Sequence, residues 1–301
     1  MKLCSRISLY WVSWAVCLFS IFGQTKAGYA QPIEVFVSIP PQAFLVERIG
    51  GEHVAVKILM GQSQDPHVFE PTTRQILALS RARLYLTIGL PFEKSLTEKL
   101  AAGGDMLKIV DTAVGIERLL LEEKAPGQNH AAHGRHEEDP HIWLAPAMLR
   151  KIGSNIARTL MSVDPAHEQN YQDNLQNLET EIDAADARIK EILTPYQGQT
   201  FYVYHPAFGY FGKAYGLTQV AVEMGGRNPP PKQLLSLAKA ARADGVKIIF
   251  VQPQFDQKSA AVVAAAMDGA VVAIDSMARD VLENMVVMAE KIKSAIPPPA
   301  R

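Results

Sequence analysis

The chain has 301 residues, 48% of them hydrophobic and 20% charged, with 30 basic against 31 acidic side chains. Such a length supports a substantial core in roughly two domains without a disulfide or structural metal, and the balanced charge argues against a nucleic-acid partner. Both cysteines, Cys4 and Cys17, lie in the first seventeen residues, so disulfide scaffolds, thiolate metal sites and cysteine nucleophiles are excluded from the rest of the chain.

Lys2 and Arg6 precede an uncharged run from Ile7 to Phe22, and small residues then lead to Gly28-Tyr29-Ala30. A basic start, an apolar stretch and a small–x–small end are the parts of a secretory signal peptide, with cleavage expected after Ala30. The run is short for a membrane span, which needs about twenty residues. Trp14 and Val16 make Cys17 a poor lipidation site. Removing residues 1–30 leaves 27 basic and 31 acidic residues, a charge of −4. The expected product is exported, periplasmic and cysteine-free.

Apolar, β-rich runs then alternate with helical stretches. Strands are predicted at Ile33–Ile39, Val54–Leu59, Leu84–Ile88, Phe201–Tyr204, Val220–Val222, Val246–Val251 and Val271–Ile274. Continuous runs such as Ile248-Ile249-Phe250-Val251 suit strands covered on both faces, as in parallel sheets. Helices are predicted at Thr72–Arg81, where Thr72 and Gln75 make a capping box, and at Ala147–Met161 and Lys232–Ala243. The alternation reads as an α/β fold.

From Pro165 to about Leu193 the chain is polar, with Tyr171, Leu175, Leu178, Ile182, Ile189 and Ile192 spaced for one helical face. Asp164-Pro165 opens this segment in the cap-then-proline order. A helix of that length spans about 40 Å. Pattern alone leaves open whether it joins two lobes or lies on the surface of one domain. Residues 125–139 are low in apolar content and lack periodicity, as in a flexible loop. No internal repeat is visible in the sequence.

The eight histidines occupy unequal contexts. His67 and His141 each follow Asp-Pro, in Asp65-Pro66-His67 and Asp139-Pro140-His141. His205 follows the strand ending at Tyr204, and Asp275 follows the run Val271–Ile274. Positions just beyond the carboxyl ends of parallel strands are where ligands bind in open α/β sheets. Three imidazoles and a carboxylate form a nitrogen/oxygen set suited to Zn²⁺. Each histidine taken singly could instead be a solvated or hydrogen-bonded loop residue. His130, His133 and His136, beside Glu137, Glu138 and Asp139, make a second candidate, a mobile metal-collecting loop; the alternative is a solvated linker. His53 and His167 read as surface residues.

These motifs lie within a longer series: Gly50-Gly51-Glu52-His53-Val54, Asp65-Pro66-His67 with Glu70-Pro71-Thr72, Asp139-Pro140-His141-Ile142-Trp143-Leu144, His205-Pro206-Ala207-Phe208-Gly209-Tyr210-Phe211, Asn228-Pro229-Pro230-Pro231-Lys232-Gln233-Leu234 and Val251-Gln252-Pro253-Gln254-Phe255. Over essentially the whole mature chain the sequence resembles the periplasmic substrate-binding proteins of zinc/manganese-class ABC importers, and their zinc-binding branch more closely. The resemblance implies an N-terminal α/β lobe over 31–163, a linking helix over 164–195 and a C-terminal α/β lobe over 196–301. It also implies a metal between the lobes on His67, His141, His205 and Asp275. The family's manganese binders usually carry a carboxylate at the position of His205, so the resemblance favours zinc. A His/acid-rich insertion such as 128–138 is typical of the zinc branch.

Two departures bear on this. Asp275-Ser276-Met277 stands where the family often has Asp-Pro-Leu, which leaves the pose of Asp275 open. Leu144-Ala145-Pro146 stands where Leu-Asp-Pro is common, which removes an acid expected either to support a metal ligand or to cap the next helix. The cysteine pair of some zinc members is also absent. The implied function is a monomeric, non-enzymatic protein that captures zinc and delivers it to a membrane permease. Alternatives are a manganese or iron carrier on the same fold, or a secreted zinc hydrolase with Asp275 as general base. No His-Glu-x-x-His motif supports the hydrolase.

Overall fold

Among the described residues every strand pairs parallel to its neighbours, the arrangement that the continuous apolar runs suit. The structure, a computed structural model, describes residues 31–101, 106–121, 138–223, 230–255 and 257–296. The expected signal peptide, most of the His/acid-rich loop and part of the Asn228–Leu234 motif lie outside these. Among the described residues no helix is long and apolar enough to cross a membrane.

In chain order the elements are β1 (Ile33–Val37), α1 (Pro40–Gly50), β2 (Val54–Ile58), α2 (Thr73–Leu79), β3 (Leu84–Thr87), α3 (Pro91–Ala101), β4 (Lys108–Asp111), α4 (Pro146–Val163), α5 (Glu168–Leu193), β5 (Thr200–Val203), α6 (Gly209–Tyr215), β6 (Thr218–Ala221), α7 (Pro231–Ala243), β7 (Ile248–Val251), α8 (Gln257–Ala266), β8 (Ala270–Ala273) and α9 (Val281–Ala295). They build two four-stranded sheets, ordered β2-β1-β3-β4 and β6-β5-β7-β8. The second order repeats the first, so the halves share a topology that their sequences do not display. All seven predicted strands are present. The eighth, β4, carries only Ile109 and Val110 between exposed Lys108 and Asp111, a pattern too short and polar to announce an edge strand.

Side chains alternate between the two faces of the second sheet. Phe201, Val203 and Phe250 join a large core that also contains β1, β3, α1, α4, α5 and α9. Tyr202, Ile249 and Val251 join a smaller core with α7 and α8. The large core thus runs unbroken from one sheet to the other through the long helix.

The capping box of α2 forms as expected: Thr72 Oγ1 accepts from Gln75 N, and Gln75 Oε1 accepts from Thr72 N. The start of the long helix does not follow its expectation. A 3₁₀ turn occupies Pro165–His167, and α5 begins only at Glu168. Its 26 residues span about 39 Å. Asp164 does not cap it, because its Oδ2 accepts from His167 Nδ1 and Tyr171 Oη, both at 2.7 Å. His167 and His53, expected at the surface, are half-buried and stack ring on ring with centroids 3.8 Å apart.

Gly153 lies where α4 meets α5. A Cβ there would sit 3.5 Å from Leu175 and Leu178, ordinary contact distance. Glycine inside a helix costs about 0.5–1 kcal/mol relative to alanine. Gly153→Ala is therefore expected to stabilise the fold by about that amount, read from the denaturant midpoint; destabilisation would show that the α4–α5 seam has no room. Gly50 is the opposite case, since its added Cβ would lie 2.3 Å from Val54 Cγ2.

Candidate metal centre

Asp-Pro-His is a local device. Asp65 Oδ1 accepts from the His67 backbone N–H, and Asp139 Oδ1 from that of His141, each at 2.9 Å. An aspartate bonding two residues ahead closes a turn, and the intervening proline fixes its backbone angle. Asp275 makes the same turn to Met277 N at 2.8 Å, so serine in place of proline leaves the turn intact.

His205 lies two residues beyond β5, and Glu223 two residues beyond β6. Glu223 N donates to Tyr204 O at 2.9 Å, prolonging the strand pairing past the end of the sheet. That brings Glu223 Oε1 to 2.8 Å from His205 Nδ1. Asp139 Oδ1 lies 2.8 Å from His141 Nδ1. In both cases a buried carboxylate holds the Nδ1 side of an imidazole and leaves the lone pair on Nε2 to face a ligand. Such carboxylate–histidine pairs fix the tautomer and ring orientation of metal-binding histidines. Gly209 lets Asp139 approach, for a Cβ there would come within 2.8 Å of Asp139 Oδ2.

The rings are set by packing as well. His205 stacks on Phe255 with centroids 4.4 Å apart, and His141 lies beside the fully buried Trp143. Trp143 Nε1 donates to Ser276 O at 2.7 Å, tying the His141 turn to the loop after β8.

His67, His141 and His205 converge. One nitrogen from each lies within 4.8 Å of the others, and the His67 and His205 Nε2 atoms are 3.2 Å apart. Ligands about 2.0–2.1 Å from a tetrahedral zinc are roughly 3.4 Å from one another, so modest ring adjustments make this trio one face of a tetrahedron. Burial pushes the His205 imidazole below its ordinary value of 6.5 despite the pull of Glu223, which favours the neutral, metal-binding form.

Asp275 is outside the trio. Its carboxylate accepts from Gln62 Nε2, Gln254 Nε2 and Met277 N. Glu138 pairs with Leu120 in an isolated bridge and lies 3.9 Å from Arg118 Nε. His130, His133, His136 and Glu137 lie outside the described residues. Sequence reasoning missed Glu223 as the partner of His205, although it follows a strand just as His205 does. It also overlooked the part Asp139 plays at His141.

A family model described as zinc-uptake complex component A, periplasmic (ZnuA), matches residues 35–295. A Chlamydia muridarum protein, provisionally named a metal-binding protein, is 27% identical over 258 residues, covering 85% of this chain and 89% of its own length. The high-affinity zinc uptake system protein ZnuA of Bacillus subtilis is 26% identical over 229 residues, 73% of this chain and 70% of its own. A crystal structure of ZnuA is 34% identical with a TM-score of 0.81, covering 88% of this chain and 99% of that one. A zinc-bound ZnuA deletion mutant is also 34% identical, with a TM-score of 0.80, covering 89% and 100%.

Proposed function

The chain belongs to the periplasmic zinc-uptake component A (ZnuA) family, and we propose that it captures Zn²⁺ on His67, His141 and His205 and passes it to an ABC-transporter permease. The observation that carries this reading is the convergence of three histidines, two of them backed by buried carboxylates. Three imidazoles form a borderline-soft set that suits zinc better than manganese, which prefers oxygen donors. Asp275 is the proposed fourth ligand. In this reading residues 31–163 and 196–301 act as two lobes of a monomeric periplasmic carrier, processed after Ala30. The loop with His130, His133, His136, Glu137 and Glu138 supplies an auxiliary site.

The large core continuous through α5 supports local adjustment of the His67 and His205 segments during binding and release, rather than a wide hinge motion.

Metal analysis of untagged protein tests the assignment. One tightly held zinc per chain, undisturbed by excess Mn²⁺, is the expected result. Preference for Mn²⁺ would replace it with the manganese-carrier reading, and zinc-dependent ester hydrolysis would favour the hydrolase. A loop deletion of 128–138 should remove only a second, weaker site.

Zinc binding requires neutral imidazoles, so affinity should fall below about pH 6. Folding should respond in the same direction without metal. His205 has a lower proton affinity folded than unfolded, so its contribution to stability is present above 6.5 and lost as pH falls through the folded value. A titration monitored by chelator competition, with metal-free melting alongside, reads both effects; affinity that stayed flat to pH 5 would count against imidazole ligation.

A further inference from the structure

We propose that Gln62 is a latch that holds the Asp275 carboxylate away from the three histidines, so that Asp275 reaches the metal only by exchanging this amide for the ion. The inference rests on the zinc-carrier reading of the same site and adds a residue that governs how firmly the metal is held.

Gln62 lies four residues beyond the end of β2, in the first sheet's half of the chain, whereas Asp275 lies two residues beyond β8 in the second. The Gln62 side-chain amide donates to Asp275 Oδ2. Gln254, three residues beyond β7, closes the arrangement by donating to the Gln62 backbone carbonyl and, at 3.5 Å, to Asp275 Oδ1. The loops after β2, β7 and β8 are therefore joined at one carboxylate.

The two oxygens of Asp275 are held differently. Oδ1 is engaged by Met277 N in its own turn, at 2.8 Å, and the Asp275 carbonyl is fixed by Asn284 Nδ2 from α9 at 2.7 Å. The backbone and Oδ1 are thus anchored within the second half of the chain. Oδ2 is bonded across to Gln62 and is the oxygen that the latch restrains. The carboxylate does not join the group of mutually close metal-binding atoms formed by His67, His141 and His205. A fourth tetrahedral position lies roughly 3.4 Å from each nitrogen, so ligation requires movement, which in the proposed latch breaks the Gln62 bond. Hydrogen bonds to an ionised acceptor are stronger than neutral ones, which makes Gln62 an effective competitor for Oδ2.

Gln62 is exposed, so its truncation should leave the fold intact. In the full-length mature protein, with Zn²⁺ as the probe and chelator competition as the readout, Gln62→Ala should tighten binding by about tenfold, the scale of one charge-assisted hydrogen bond. The gain should appear mainly as slower zinc release in stopped flow. In an Asp275→Asn background the same substitution should have no effect on affinity, because the competing carboxylate is gone; this double-mutant cycle separates a latch from a loop that merely supports the fold. Unchanged or weakened binding in Gln62→Ala, or equal tightening with Asp275 replaced, would overturn the latch while leaving the carrier assignment in place. A wild-type protein that takes up no zinc would overturn both.

Discussion

Replacing His205 with alanine should weaken zinc binding by more than about a hundredfold, because partners one step removed from a metal already contribute 10–100-fold to affinity and His205 is a direct donor in the proposed site. The substitution removes the nitrogen that lies 3.2 Å from His67 Nε2 and leaves Glu223 buried without its imidazole. Glu223→Gln is the subtler companion. An amide in place of the carboxylate can still accept from Nδ1–H, but it does not stabilise the imidazole's positive polarisation. A loss of about 10–100-fold is expected, with the melting temperature of the metal-free protein little changed. Chelator competition on both variants, paired with thermal unfolding, checks the result. Wild-type affinity in His205→Ala would remove His205 from the ligand set, and wild-type affinity in Glu223→Gln would show that orientation of this ring depends on Phe255 and the backbone alone.

The three histidines that converge were easier to read from the sequence than the groups that hold them. Asp-Pro-His is legible because the turn is local: the aspartate, the proline and the backbone donor are adjacent in the chain. His205 was legible because a strand end is marked by the apolar run before it. Glu223 was not, since its pairing with His205 depends on β6 lying beside β5 in register, and register between parallel strands is not encoded within either segment. Gln62 and Gln254 were hidden for the same reason, as their common partner Asp275 belongs to a distant loop.

The same distinction separates the elements themselves. The long buried runs of β1, β3 and β7 announce two covered faces, whereas β4 is a short edge strand whose pairing to β3 supplies what its composition lacks. At the start of α5, Asp164-Pro165 has the composition of a cap, yet Tyr171 and His167 occupy the carboxylate that would have capped. The duplication of strand order is invisible in the sequence because topology constrains the sites of apolar runs, not their identities.

Glu93 is expected to be a major stability determinant away from the candidate metal centre. Its carboxylate is buried at the start of α3, accepting from the backbone N–H groups of Ile88, Gly89 and Leu90 and from Ser38 Oγ, which also bonds Tyr85 Oη at 2.8 Å. Glu93→Ala would leave several buried donors unsatisfied at about 1–3 kcal/mol each. A net loss of about 3–5 kcal/mol is expected once water or relaxation satisfies some of them, a fall in melting temperature on the order of 10 °C for a chain this size. Burial outweighs these hydrogen bonds and pushes Glu93 up to about 7 from 4.5. Because the folded state holds the proton more tightly, the contribution is complete below 4.5 and is lost as pH rises through about 7. Denaturant unfolding of the metal-free protein between pH 4 and 8, in wild type and Glu93→Ala, separates that slope from the opposing one of His205; a variant as stable as wild type, with the same pH profile, would mean that the amides around Ile88 find partners without the carboxylate.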